Sequence, residues 1–207
     1  MRGKKYIVGI LLLCLVLTVI GGCKTSTYEM AHKKEAPRYD AGFLIDNPAQ
    51  VGQTITKLID LSVSAGEDMP SEESMHEISV TVKEVYTHEE AWEKLQAVEG
   101  NEPPDEGYYY ILAKVDITLK AVASSSRWFN LFEYITDRSQ FVAYSPEGDR
   151  YSHAQVMPPD PVMRFHMVTG DDKWGWVAFM IPESDDSPRM QITKENTNLW
   201  FELFNRK

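Results

Sequence analysis

The longest alternating run in the chain follows Gly107. Tyr109, Ile111, Ala113, Val115, Ile117 and Leu119 fall on one side of an extended backbone, and Lys114, Asp116, Thr118 and Lys120 fall on the other. Successive side chains of a strand point to opposite faces, so this run reads as a central strand with one apolar face. Such a strand requires pairing partners on both edges and an apolar layer over its face. The sequence supplies candidates for both. Ile78, Val80 and Val82 alternate with Ser79, Thr81 and Lys83, and Leu199, Phe201 and Leu203 share one face near the end. Val177, Phe179 and Ile181 alternate with Trp176, Ala178 and Met180 until Pro182, which cannot donate to a ladder. Phe141 to Tyr144 and Arg150 to Ser152 flank Ser145-Pro146-Glu147-Gly148-Asp149, whose Pro and Gly suit a hairpin turn. Short strands joined by turns predict an all-β chain folded as a β-sandwich.

Two helical pieces interrupt the pattern. Thr87 to Glu90 fits a capping box, with Thr87 as N-cap and Glu90 at N3, and Ala91, Trp92, Leu95 and Val98 form an apolar stripe behind it. That stripe needs a surface. Closing one end of the sandwich is the expected use, and Trp92 facing solvent as a partner anchor is the alternative. A second helical turn is read in Trp128 to Ile135.

The amino end follows a different logic. Arg2, Lys4 and Lys5 precede an almost unbroken apolar run from Tyr6 to Ile20, which ends in Gly21-Gly22-Cys23. This is the layout of a secretory signal. The run is about fifteen residues long, and a spanning helix wants roughly twenty. The chain therefore divides into a signal peptide at 1–22, a tether at 23–47 rich in Ser, Thr, Lys and Glu, and a sandwich domain at 48–207. An uncleaved membrane helix and secretion without lipid are the alternatives, and both leave the domain outside the cytoplasm.

Removal of the signal takes three of the 21 basic residues and none of the 31 acidic ones, so the remaining 185 residues carry a formal charge of −13. That charge excludes nucleic acid as a natural partner and argues against a polybasic grip on anionic lipid. Cys14 lies in the signal and Cys23 at the cleavage site. The domain thus has neither a disulfide nor a thiol nucleophile, and its stability has to come from a core.

The ending Ile20-Gly21-Gly22-Cys23 resembles the lipobox of bacterial lipoproteins, which implies that Cys23 carries a diacylglyceryl thioether. At about 0.8 kcal/mol per buried methylene, two acyl chains make a stable anchor. The domain itself is similar to the telokin-like immunoglobulin-type domain of Gram-positive lipoproteins. The likeness rests on the order of Val51-Gly52-Gln53-Thr54-Ile55, the Ile78 to Val85 strand, Gly107 leading into Tyr108 to Leu119, Phe141 to Tyr151, and Gly175 to Pro182. The stretch from Thr87 to Gly107 is longer and more helical than that family's pattern, and an Asn expected near Ala121 is absent. The resemblance implies an immunoglobulin-like sandwich with one short inserted helix. It implies a location outside the cytoplasm, and it carries over no functional residue.

Searches for chemistry give little. His88-Glu89-Glu90-Ala91-Trp92 begins like a zinc-protease helix, but Trp92 stands where the second His is needed. Gly-x-Ser-x-Gly and Ser-x-x-Lys are both absent. His32, His76, His88, His153 and His166 read as surface histidines, with only His153 and His166 placed to approach one another beside Asp160. Asp171-Asp172 and Glu183 to Asp186 lack calcium-loop spacing and read as solvated loop charges. Pro158-Pro159-Asp160-Pro161 reads as a stiff loop. Tyr108, Tyr110, Trp174 and Trp176 lie opposite the core rows, where aromatics either pack or anchor a partner. Trp92, Trp174 and Trp176 are the candidate partner contacts. The expectation is a lipid-anchored module of the bacterial envelope that binds a protein or polymer, without cofactor, metal or catalytic residue. The alternatives are an envelope hydrolase with a non-local active site and a structural or immunogenic surface protein.

Overall fold

Period-two alternation decides the architecture of the computed structural model. Its elements in chain order are β1 (Thr54–Asp60), β2 (Met75–Thr87), α1 (His88–Leu95), β3 (Tyr108–Ala121), β4 (Glu133–Thr136), β5 (Phe141–Tyr144), β6 (Phe165–Val168), β7 (Asp172–Pro182), β8 (Arg189–Ile192) and β9 (Leu199–Glu202). The structure describes residues 40–61, 75–122, 133–136, 140–193 and 197–204. The signal segment, Cys23, the tether up to residue 39 and Trp128 lie outside them.

The large sheet has the order β1-β2-β3-β7, the small one β5-β8-β9, and β4 pairs with β6. Every ladder is antiparallel. The run after Gly107 is central, as its pattern predicts, with Ile111 opposite Thr87 on one side and Phe179 on the other. Val80, Ile111, Val115 and Ile117 of the large sheet meet Phe141, Met190, Ile192 and Phe201 of the small one in a single buried cluster. Burying each large apolar side chain contributes about 1.5–3 kcal/mol, so this interface holds the two sheets together. The ladder between β2 and β3 shifts register between Val82 and Glu84. The extra residue, Lys83, restarts the alternation, so Val82 and Val85 both reach the core.

A second cluster covers the opposite face of the large sheet. Ala91 and Leu95 of α1, Ala154 and Val156 of the loop between β5 and β6, and Tyr110 and Leu112 of β3 are all buried there. The helix therefore lies on the outer face of the sheet and does not close an end of the sandwich as expected. Tyr110 and Leu112 make that face apolar at the end of β3 near Gly107, and the helix stripe follows the apolar surface. Thr87 has the extended N-cap backbone the capping box predicts, but its side chain makes no cap hydrogen bond.

Three other expectations change. Residues 133–135, read as helical, belong to β4, where Glu133 to Thr136 pair with Val168 to Phe165. The rest of that reading falls outside the described residues. The second arm of the hairpin around Gly148 is only a bridge, Tyr144 to Arg150, although the turn itself forms and the Ser145 amide donates to the Asp149 carbonyl at 2.9 Å. The chain also joins the sandwich earlier than residue 48. The Trp200 amide donates to the Gly42 carbonyl at 2.8 Å, and Arg189 donates to the Ile45 carbonyl. Gly42 sits at φ +93° with Ile55 so close that an added Cβ would lie 1.8 Å from its Cδ1. Only glycine fits there.

The outer edge of β7 is sealed by a backbone strap. The Trp176 amide donates to the Pro161 carbonyl at 2.8 Å, and the Met163 amide donates to the Trp176 carbonyl at 3.0 Å. Gly175 lets the strap approach, since a Cβ there would lie 2.7 Å from the Met163 nitrogen.

Candidate functional site

Where β2 hands over to α1, a turn of backbone leaves the sheet, and β3 returns beneath it with three consecutive tyrosines. The two segments enclose an open cleft of roughly 860 Å³, within the size range of small-molecule sites. His88, Glu89, Glu90 and Trp92 line one wall, and Tyr108, Tyr109 and Tyr110 line the other. Glu183, just past the end of β7, and Phe204 complete it.

His88 sets the geometry of the handover. It is a non-glycine residue at φ +53°, a left-handed conformation that costs free energy and persists only where surrounding contacts hold it. Its ring stacks on Tyr109 with centroids 3.9 Å apart and planes 5° from parallel. Tyr109 is fixed in turn, because its hydroxyl donates to the Asp185 carbonyl at 2.8 Å. Burial first, then the charges of Asp185 and Asp186, push the Tyr109 hydroxyl up to about 12. Tyr110 packs against Trp92 at 6.1 Å and donates to the Glu102 carbonyl at 3.3 Å. Burial, aided by Asp105 and Glu102, raises its pKa as well. Tyr108 stays 39% exposed at the mouth. No described basic residue forms an ion pair with Glu89, Glu90 or Glu183.

The three candidate tryptophans are not brought into one site. Trp92 lines the cleft. Trp174 and Trp176 form an edge-to-face pair at 6.4 Å farther along the outer face, on β7. Trp176 packs against the second cluster and against Tyr86 at 5.9 Å, whereas Trp174 is 41% exposed beneath the Lys114 ammonium, 4.5 Å from its ring centroid. Lys114 also pairs with Glu84 at 3.2 Å. Hydrogen bonds from Tyr86, then from Lys114, hold the Glu84 carboxyl below its ordinary range.

The remaining candidates have structural duties. His76 is buried, against the expectation of a surface histidine, and its Nε2 lies 2.8 Å from the Thr169 hydroxyl. His153 is exposed beside Arg150 at 3.3 Å, and His166 lies on β6. Asp171 pairs with Lys173 at 2.9 Å and accepts from the Val168 amide. Asp185 accepts from the Tyr151 hydroxyl at 2.6 Å and from the Ser187 amide. Among the described residues, no group of three His, Cys, Asp or Glu is placed to hold a metal ion.

Neither the cleft nor a separate side-chain tie at Asn101 was legible in the sequence. Asn101 donates to the Leu95 and Met157 carbonyls and accepts from the Met157 amide at 2.7 Å, which fastens the end of the helical insert to the loop over the outer face. The signal for the cleft was present in Tyr108-Tyr109-Tyr110, a run that places aromatics on both faces of a strand end.

Fold and cleft together define a β-sandwich carrying one inserted helix. No protein-family profile and no curated protein matches the chain. Among solved structures, a Bacillus subtilis protein classed as a candidate lipoprotein is similar over 63% of this chain and 37% of its own, at 11% identity and a TM-score of 0.43. The chain thus spans little more than a third of that protein. An uncharacterized β-sandwich protein of Clostridium difficile is similar over 84% of this chain and 100% of its own, at 12% identity and a TM-score of 0.40.

Proposed function

We propose that the protein is a lipid-anchored binding module on the outer face of a bacterial cell membrane, of the telokin-like immunoglobulin type found in Gram-positive lipoproteins, and that it works by recognition, without catalysis. The observation that carries this reading is the open cleft between α1 and the start of β3, walled by Trp92 and Tyr108 and lined by a strained His88 stacked on Tyr109. Strain of this kind is retained where surrounding structure over-determines it, and it clusters at sites that meet ligands. The signal segment and Cys23 supply the address. In this reading the partner is an envelope protein or polymer.

Two measurements test the reading. Cys23→Ala is expected to move the protein from the membrane fraction to the medium or to leave it unprocessed. A variant processed at the same site and still membrane-bound would refute the lipid anchor. For the cleft, a photocrosslinking side chain at Tyr108 should give envelope adducts that the same group at Leu58, 56% exposed on β1, does not. Equal yields at the two positions would show that recognition does not run through the cleft.

A further inference from the structure

We infer that the cleft takes an alkylammonium group, an organic cation carried on a short apolar stem. This deepens the reading above and rests on it. The walls combine the aromatic surfaces of half-buried Trp92 and exposed Tyr108, backed by buried Tyr110, with the carboxylates of Glu89, Glu90 and Glu183. No lysine or arginine stands among the described lining residues, and no described basic residue pairs with those three glutamates. An ammonium over an aromatic face is attracted by the ring quadrupole, and a nearby carboxylate adds attraction of the same sign.

The molecule already uses this pairing on its outer face, with its own side chains. The Lys94 ammonium lies 4.2 Å from the centroid of Tyr86, and the Lys114 ammonium lies 4.5 Å from that of Trp174. Both are exposed or half-buried rings on the same outer face, each with a cation supplied by this chain. The cleft aromatics are the ones on that face with carboxylates around them and no described cation of their own. The charge of −13 on the exported chain raises the local concentration of cations and disfavours anionic ligands. The apolar parts of Val85, Pro104 and Phe204 line the same cleft and suit a hydrocarbon stem. The ammonium would come from a free solute or from a lysine side chain of a partner chain, and both present the same group.

The test uses the full-length chain in neutral detergent at physiological salt, with the Trp92 and Trp174 indole N–H signals followed by NMR. The probes are n-butylammonium, its neutral isostere n-butanol, the anion n-butyrate and a trilysine peptide. The expected result is saturable movement of the Trp92 signal by n-butylammonium and trilysine, with n-butanol and n-butyrate at least tenfold weaker and the Trp174 signal still. Tighter binding of trilysine would identify a lysine side chain as the source, and equal binding a free amine. In the triple variant Glu89→Gln, Glu90→Gln, Glu183→Gln, whose three positions are exposed, affinity for n-butylammonium should fall at least tenfold. If n-butanol binds as well as n-butylammonium, or the triple variant binds unchanged, the cation inference fails and the cleft stands as an apolar site. If the Tyr108 crosslinks are absent as well, the cleft itself is refuted as the recognition site.

Discussion

Tyr109 is the residue where fold and site meet. One face carries the His88 ring, its hydroxyl holds the Asp185 carbonyl, and its body belongs to the main core. Tyr151 reaches the same loop by donating to the Asp185 carboxylate. Burial, followed by this hydrogen bond and the Asp185 charge, raises the Tyr151 pKa strongly. Both groups are stabilised in the neutral form, so the folded state binds their protons more tightly than the unfolded chain does. Their contribution is complete below pH 10, the ordinary tyrosine value, and is lost as pH rises through the folded value, about 12 for Tyr109. The denaturant midpoint should therefore hold up to pH 10 and fall between 10 and 12. Tyr109→Phe combined with Tyr151→Phe should flatten that fall. A midpoint as steeply alkaline-sensitive in the double variant as in the parent would show that other groups set the limit.

At the scale of elements, α1 is short and depends on its stripe. Eight residues cannot form a stable isolated helix, so Ala91 and Leu95, both fully buried, hold it on the sheet. Leu95→Ala should cost about 2–5 kcal/mol. Trp92 is half-buried and its truncation should cost less, about 1–3 kcal/mol, with both changes read from denaturant midpoints. A larger loss at Trp92 than at Leu95 would place the anchor of the helix at the cleft wall. The strands were legible unevenly. β3, β7 and β9 announce themselves because their core-facing positions are apolar in unbroken alternation. β1 hides because Leu58 is exposed next to buried Ile59, and β6 and β8 hide because one buried apolar position in β6 (Met167) and two in β8 (Met190 and Ile192) are too few to establish a period, whereas Leu203 adds a third to the row of β9. The helix was visible from its stripe, but its resting place was not. That depended on Tyr110 and Leu112 making the second face of β3 apolar, and the same missing fact concealed the cleft.

At the scale of the molecule, the boundary of the folded unit moves towards the amino end. The described residues from 40 onward belong to one compact unit, and the segment from Gly42 lies along β9, where the Ala49 amide donates to the Trp200 carbonyl and the Glu202 amide donates to the Ala49 carbonyl. A fragment starting at residue 40 should unfold cooperatively. One starting at 48 loses the Gly42–Trp200 and Ile45–Arg189 bonds and should be less stable by roughly 2 kcal/mol, at about 1 kcal/mol for each bond. Equal midpoints would make the extra residues passive. The strap that seals β7 reaches beyond local packing as well. Sheets associate by adding strands to unpaired edges, and with β7 occupied, the large sheet offers only β1 among the described residues. A body with one free edge can meet a second copy across a two-fold axis, and the meeting consumes the edge of both. Gly175, by admitting the strap, takes the Trp176 amide and carbonyl out of reach of a second copy and so interrupts the edge that a fibre would have to extend through β7.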